Sequence, residues 1–236
     1  MLWKILLGNE FEINTLTQND MDTNKLIEKE IVELWTKYSD KEFCKYNPLA
    51  PEKIRRGGLL FIGLNPSIRK DAEPVEFNKK LENYGFPPKT DKYFGKFWEI
   101  AEKTGFIDNW SHFDLLFLRG DQKFVEKTLK DIDNQGHVFI WEQLQISKKL
   151  LENVDPELIV ISNKLAVEFT GKNKIEKNGE VFGEWMNCQF EQDGKNYTLN
   201  GIPVVFSKQP NRFFSNSEME KLINEIVEIK TKYDIN

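Results

Sequence analysis

A chain of 236 residues with 39% hydrophobic and 13% aromatic side chains can bury a sizeable core, which excludes disorder over most of its length. Thirty-eight acidic against 33 basic residues leave a formal charge of −5, excluding a protein that coats nucleic acid by bulk positive charge but not one with a local basic groove. Two cysteines, Cys44 and Cys188, cannot build a disulfide framework, a four-cysteine zinc site or a four-cysteine iron–sulfur cluster.

In chain order, the start MLWKILLGNEFEINTL has too short an apolar stretch and no basic region before it, so no secretion signal is expected there. Leu26, Ile27, Ile31, Leu34 and Trp35 recur at helical spacing with charges between them, which predicts an amphipathic helix within an N-terminal helical extension, residues 1–56. LLFIGL, residues 59–64, is a short apolar run ending at the turn sequence Asn65-Pro66-Ser67 and predicts a buried strand. A polar stretch over 68–92 leads to YFGKFWEIAEKTGF, a helix closed at Gly105, and then to HFDLLFLRG, a second buried strand. A helical pattern over 138–153 stops before Asp155-Pro156, and ELIVISN is a third strand. LAVEFTG is a short helix ending at a glycine, and 172–200 is an excursion or hairpin. IPVVFS is the fourth strand, and the C-terminal helix is expected to start at Ser217, with Glu220 completing a capping box.

Four apolar strands alternating with helices predict a single α/β domain, a three-layer α/β/α sandwich around a mostly parallel four-stranded sheet. Ligands of such sheets bind beyond the carboxyl ends of the strands, which directs attention to the loops beginning at Asn65, Arg119, Asn163 and Ser207. With no run of 18 apolar residues, a soluble, cytoplasmic protein without a membrane partner is expected.

The chain carries no GxxxxGK[ST] phosphate loop, no GxGxxG fingerprint, no GxSxG elbow and no HExxH helix. Its two histidines, His112 and His137, read as structural residues. With no cysteine pair a metal site would have to rest on carboxylates, and the 38 Asp and Glu read as solvated faces, so no metal is expected. What remains is GLNPS at 63–67. It reads equally as a plain strand-ending turn or as a loop in which the Asn65 amide offers both a C=O and an NH₂ at the sheet edge.

FIGLNPS after the first strand, the aromatic helix KYFGKFWEIAEKTGF, then VDPELIVISNKLAVEFTG and GIPVVFSKQPNRF, taken in that order over about residues 57–215, resemble the uracil-DNA glycosylase superfamily, particularly its mismatch-specific and single-strand-selective branches. The resemblance implies a monofunctional, cofactor-independent glycosylase, expected to act as a monomer on DNA. Such an enzyme flips a pyrimidine-type base from the duplex and hydrolyses its N-glycosidic bond, leaving an abasic site in a DNA-repair or antiviral-defence role. Asn65 matches the residue that positions the attacking water, within a base-binding turn of Gly63, Leu64, Pro66 and Ser67. Phe77 falls near the aromatic that stacks on the flipped base, with Phe86 or Tyr93 as the alternatives. Gln209 stands where the second motif has His or Asn, and with Asn65 it completes the catalytic pair. Asn211, Arg212 and Phe213 follow in the loop that enters the minor groove. Arg69, Lys70, Lys208 and Arg212 would contact phosphates.

Two departures bear on substrate. A neutral Gln209 stabilises a departing anion less than a histidine would. In the second strand, Leu115-Leu116-Phe117 stands where other branches have an asparagine reading the pyrimidine edge. Asp114 or Arg119 would border the base pocket instead, or form an ordinary salt bridge. The expected base is therefore uracil-like or a modified cytosine, for example the glucosylated hydroxymethylcytosine of phage DNA, which the long 68–92 loop would accommodate. The alternative is a catalytically weak superfamily member that binds DNA or nucleotides without excision.

Overall fold

The central strands form where short apolar runs are bounded by turn formers, and each is long enough to cross a core once. In the computed structural model, which describes residues 20–68, 74–172, 185–211 and 213–235, strand β1 (Asp20–Asp22) is followed by helix α1 (Thr23–Lys37), capped by the Asp22 carboxylate. Short strands β2 (Leu49–Pro51) and β3 (Lys53–Arg55) precede β4 (Leu59–Gly63). Strand β5 (Glu82–Tyr84), helix α2 (Gly95–Lys103), strand β6 (Trp110–Asp114) and helices α3 (Gln122–Lys130) and α4 (Gly136–Asn153) follow. The chain continues through β7 (Leu158–Ser162), α5 (Lys164–Thr170), β8 (Phe190–Asp193), β9 (Asn196–Leu199), β10 (Ile202–Ser207) and α6 (Asn216–Tyr233).

The main sheet has six strands in the order β6-β4-β7-β10-β9-β8, and the first four run parallel. The fold is thus α/β with a mostly parallel sheet, but the sheet is wider than the four strands the sequence suggested. Residues 190–199, within the stretch read as an excursion or hairpin, form an antiparallel hairpin that extends the sheet from β10. Alternation along the strands assigns each face its own core. Leu60, Ile62, Ile159 and Ile161 join the cluster holding Ile27, Trp35, Phe139 and Leu144, whereas Leu59, Phe61, Leu158 and Val160 join the one holding Phe97, Ile100, Leu222 and Ile226. Helices therefore cover both faces.

Three expectations change. Helix α1 is built into the core rather than appended to it: Trp35 meets Phe139 of α4 edge to face with ring centroids 5.0 Å apart, and its indole N–H donates to the Tyr46 carbonyl at 3.0 Å. Strand β6 begins at Trp110 and ends at Asp114, so Leu115–Leu118 lie beyond it as buried loop. The Leu115 and Leu116 N–H groups there donate to the carbonyls of Gly63 and Leu64 at 3.1 and 2.9 Å. Apolar composition fits a buried strand and a buried loop equally. The cap of α6 is Ser215, with Glu218 closing the capping box, not Ser217 with Glu220. Starting two residues earlier puts Phe214 and Met219 in the two staple positions, and both are buried in one core. The glycine expected to close α5 does so: Gly171 takes φ +106°. No helix among the described residues is long and apolar enough to cross a membrane.

Candidate active site

Parallel strands release their chains at one edge, and the polar residues of interest gather there because each immediately follows or ends a buried strand. A pocket of about 290 Å³ opens at this edge, and Pro66, Ser67, Phe86, Tyr93, Phe94 and Asp114 are among the residues that line it.

Asn65 follows β4 by two residues. Its side-chain NH₂ donates to the Gly120 carbonyl at 2.9 Å and approaches those of Leu118 and Pro66 at 3.4 Å each. Three carbonyls around one end of the amide fix which end is the donor. The Oδ1 atom makes no hydrogen bond among the described residues, so it remains an acceptor. An acceptor is what orients a water whose lone pair must face an electrophile. Pro66 is buried beside it and Ser67 is exposed, both at the pocket, while Leu64 is 4% exposed and belongs to the core.

Asp114 ends β6 and is 7% exposed; burial pushes its carboxyl up to about 7. Its neighbour on the same strand face, His112, is pushed down to about 3 by burial and is therefore a neutral imidazole. The Nε2 of His112 lies 3.7 Å from Asp114 Oδ1, and neither atom has a hydrogen-bond partner among the described residues. On its other side, His112 Nδ1 lies 3.3 Å from the Tyr84 hydroxyl, and the ring packs against Phe94 and Phe97 at 5.2 Å each. Gly63, opposite Asp114 on the adjacent strand, makes room for this carboxyl: a Cβ there would lie 2.1 Å from Asp114 Oδ1 and 3.1 Å from His112 Nε2. Gly63→Ala should therefore destabilise the fold by about 1–3 kcal/mol through overpacking, read as a lower urea midpoint at unchanged slope.

Gln209 follows β10 by two residues. Its NH₂ donates to the Tyr93 hydroxyl at 3.1 Å and its Oε1 lies 3.3 Å from Ser162 Oγ, a hydroxyl that also reaches the Ile62 carbonyl at 3.0 Å. Gln209 thus braces Tyr93, a wall of the pocket, from behind. Phe86 is 41% exposed, and the Arg55 guanidinium lies 4.0 Å from its ring centroid on one side while the Trp98 and Trp110 rings meet it edge to face.

Phe77 is elsewhere. Its N–H donates to the Lys45 carbonyl at 2.8 Å and Asn47 N–H donates to Val75, so this segment is drawn into a separate groove beside Ser39–Lys45. The aromatics at the Asp114 pocket are Tyr84, Phe86, Tyr93 and Phe94, which include the two alternatives to it. Arg119 forms an ion pair with Glu82, whose Oε1 also accepts from Asn47 at 3.1 Å. On the other loop, Lys208 is 80% exposed and paired with Glu218 at 2.6 Å. Asn211 Oδ1 accepts from Phe213 N–H at 2.8 Å, a short turn that leaves the Phe213 ring 77% exposed. Arg69, Lys70 and Arg212 lie outside the described residues. Sequence reasoning took His112 as structural, without placing it beside Asp114, and did not name Tyr84. The signal for the first was present, since residues two apart on a strand share a face and Asp114 had been singled out.

No group of His, Cys, Asp and Glu among the described residues could hold a metal ion. Cys44 and Cys188 are free and buried, and burial raises both thiols, the second to about 11, so neither is an activated nucleophile. No family model matches this chain, and no curated protein matches it.

Proposed function

We propose that the chain is a monofunctional DNA glycosylase with a uracil-DNA glycosylase-like fold, one that extrudes a pyrimidine-type base and hydrolyses its N-glycosidic bond. The base is uracil-like or a modified cytosine such as the glucosylated hydroxymethylcytosine of phage DNA, the latter giving an antiviral role. The observation that carries this reading is that one sheet edge holds both the Asn65 Oδ1 acceptor and, from the next two residues Pro66 and Ser67 onward, an aromatic-walled pocket lined by the buried carboxyl of Asp114.

Hydrolysis at C1′ passes through an oxocarbenium-like sugar, so three things are needed: a water held by an acceptor, a wall for the extruded base, and polar groups where charge develops. Asn65 supplies the first. Phe86, Tyr93 and Phe94 supply the second, with Gln209 fixing the Tyr93 hydroxyl. Asp114 is placed for the third. The pocket lies near the lower limit of small-ligand sites, which suits a single base rather than a nucleotide chain. An acidic protein can hold DNA if Lys208 exchanges its exposed partner Glu218 for a phosphate, while Phe213 fills the gap left by the extruded nucleotide.

The test is a panel of single-stranded and duplex oligonucleotides carrying uracil, thymine mismatches, hydroxymethylcytosine or its glucosylated form, scored for abasic sites. Release of any one of these bases supports the reading, and release of none contradicts it. Two variants locate the DNA edge. Phe213→Ala should leave the unfolding midpoint unchanged but slow release from duplex by about tenfold, or ~1.4 kcal/mol, with release from single strands unaffected. Lys208→Ala should reduce the slope of log affinity against log salt by about 1. A binding-only protein is the second reading. It is favoured by one observation, that the Gln209 amide donates to Tyr93; DNA binding without base release would establish it.

A further inference from the structure

Asp114 presents an unsolved polar balance. Its carboxyl lines the pocket and is buried, yet Oδ1 finds no hydrogen-bond partner among the described residues. The groups around it are His112 on its own strand, Tyr84 behind that imidazole, and Tyr93 and Asp91 from the segment leading into α2. Asp91 is occupied, accepting from the Tyr93 and Phe94 N–H groups at 2.8 and 3.2 Å. Among the described residues no lysine or arginine lines the pocket. Burial accordingly holds the proton on Asp114 up to about 7 and keeps His112 neutral. A protonated carboxyl is a donor and an acceptor side by side. Oδ1 and His112 Nε2 are left unsatisfied inside the fold, at a cost, while the carboxyl as a whole lines the pocket and can present its proton to a ligand there.

We propose that Asp114 is the residue that selects a 4-aminopyrimidine, a cytosine-type base, over uracil, by donating its proton to ring nitrogen N3 as the glycosidic bond breaks. This rests on the glycosylase reading and narrows its substrate. A cytosine edge offers an acceptor at N3, which the acid O–H at the pocket can meet. When the C1′–N1 bond breaks, its electron pair goes to the base, the Asp114 proton moves to N3, and the base leaves neutral. Asp114 remains as a carboxylate near the sugar cation. Water adds to C1′ and gives its proton to solvent, from which Asp114 is reprotonated. Uracil can accept a hydrogen bond from the same acid at O4. Its N3 already carries a hydrogen, so it cannot take the proton there and must leave as an anion. Discrimination therefore lies in bond breaking rather than in binding.

The experiment is single-turnover excision by the full chain on oligonucleotides carrying cytosine, hydroxymethylcytosine, its glucosylated form or uracil, between pH 6 and 8.5, for the natural chain and Asp114→Asn. The expected result is release of cytosine-type bases at least ~10-fold faster than uracil, with the rate falling about tenfold per pH unit above about 7 as the proton is lost. Asp114→Asn should lose ~10²-fold or more of cytosine-type release and its pH dependence, with affinity for the DNA unchanged. Its folding is checked independently by its unfolding midpoint. Release of uracil alone would leave the glycosylase reading standing and overturn this one. Undiminished cytosine-type release by Asp114→Asn would overturn it as well. If the natural chain releases no base of either class, both readings fall together.

Discussion

Asn65→Ala is expected to lower the rate of base release by about 10²–10³-fold while changing the affinity for substrate DNA by less than about twofold. The split between rate and affinity follows from the position of the group. Among the described residues the free atom of Asn65 is Oδ1, and its NH₂ is committed to the carbonyls of Gly120, Leu118 and Pro66. Removing the amide therefore removes the acceptor for the water and loosens the turn between β4 and the 118–120 segment. The second effect should cost about 1 kcal/mol of stability, the net value of a hydrogen bond of this kind. A urea titration separates the two effects, because a variant that is almost fully folded at assay temperature cannot owe a hundredfold rate loss to unfolding. Asn65→Asp should be worse on stability, since it would put a carboxylate oxygen against the Gly120 carbonyl, 2.9 Å from the present amide nitrogen. Undiminished release by Asn65→Ala would remove this residue from the chemistry.

The second large effect is on stability and depends on pH. Burial raises the Asp114 carboxyl to about 7 in the folded chain, above its ordinary 3.8, and lowers the His112 imidazole from 6.5 to about 3. The folded chain thus keeps a proton on Asp114 that the unfolded chain has lost. This contribution is full below about pH 4 and disappears as the pH rises to about 7. His112 acts in the opposite sense: its contribution is full above about 6.5 and is lost as the pH falls toward 3. Between about pH 4 and 6.5 the two oppose each other, and the stability of the natural chain should vary little from this pair. Asp114→Asn carries no proton to lose, so it should be more stable than the natural chain at pH 8, by about 4 kcal/mol at most, and nearly equal to it at pH 4. Urea unfolding at these two pH values reads the difference directly. An equal change at both would mean that the carboxyl is not protonated in the folded chain. A gain in stability accompanied by a loss of base release would mark Asp114 as a group kept for function at a cost to the fold.

The parts of the fold legible in the sequence were those with one strong period. LLFIG, LIVIS and IPVVFS are continuous apolar runs because parallel strands are covered on both faces, and α1, α4 and α6 show their buried stripes plainly. The hairpin β8–β9 was legible only as one of two readings of 172–200, because Glu191–Asp193 sit at an exposed sheet edge, where composition resembles loop. Helix α3 escaped because its buried stripe is only Val125, Thr128 and Leu129, though Asp121 does cap it as such a residue should. Strand β6 was shifted toward the apolar Leu115–Leu118 because the buried Ser111, His112 and Asp114 read as polar.

At the site, Asn65, Pro66 and Ser67 were legible because they follow an apolar run, and Asp114 because it lies within the segment read as the second strand. Phe77 was not, since its place is set by backbone pairing with Lys45 across a loop, which no count of residues reveals. The bracing of Tyr93 by Gln209, 116 residues apart, was equally hidden.

The most direct measurement is base release in ¹⁸O-labelled water, with the freed base and the DNA product both analysed by mass spectrometry. Hydrolysis predicts one free pyrimidine-type base per abasic site, a single ¹⁸O in the abasic sugar and an unbroken strand. Intact DNA with no free base, or a broken strand whose sugar carries no label, would contradict it.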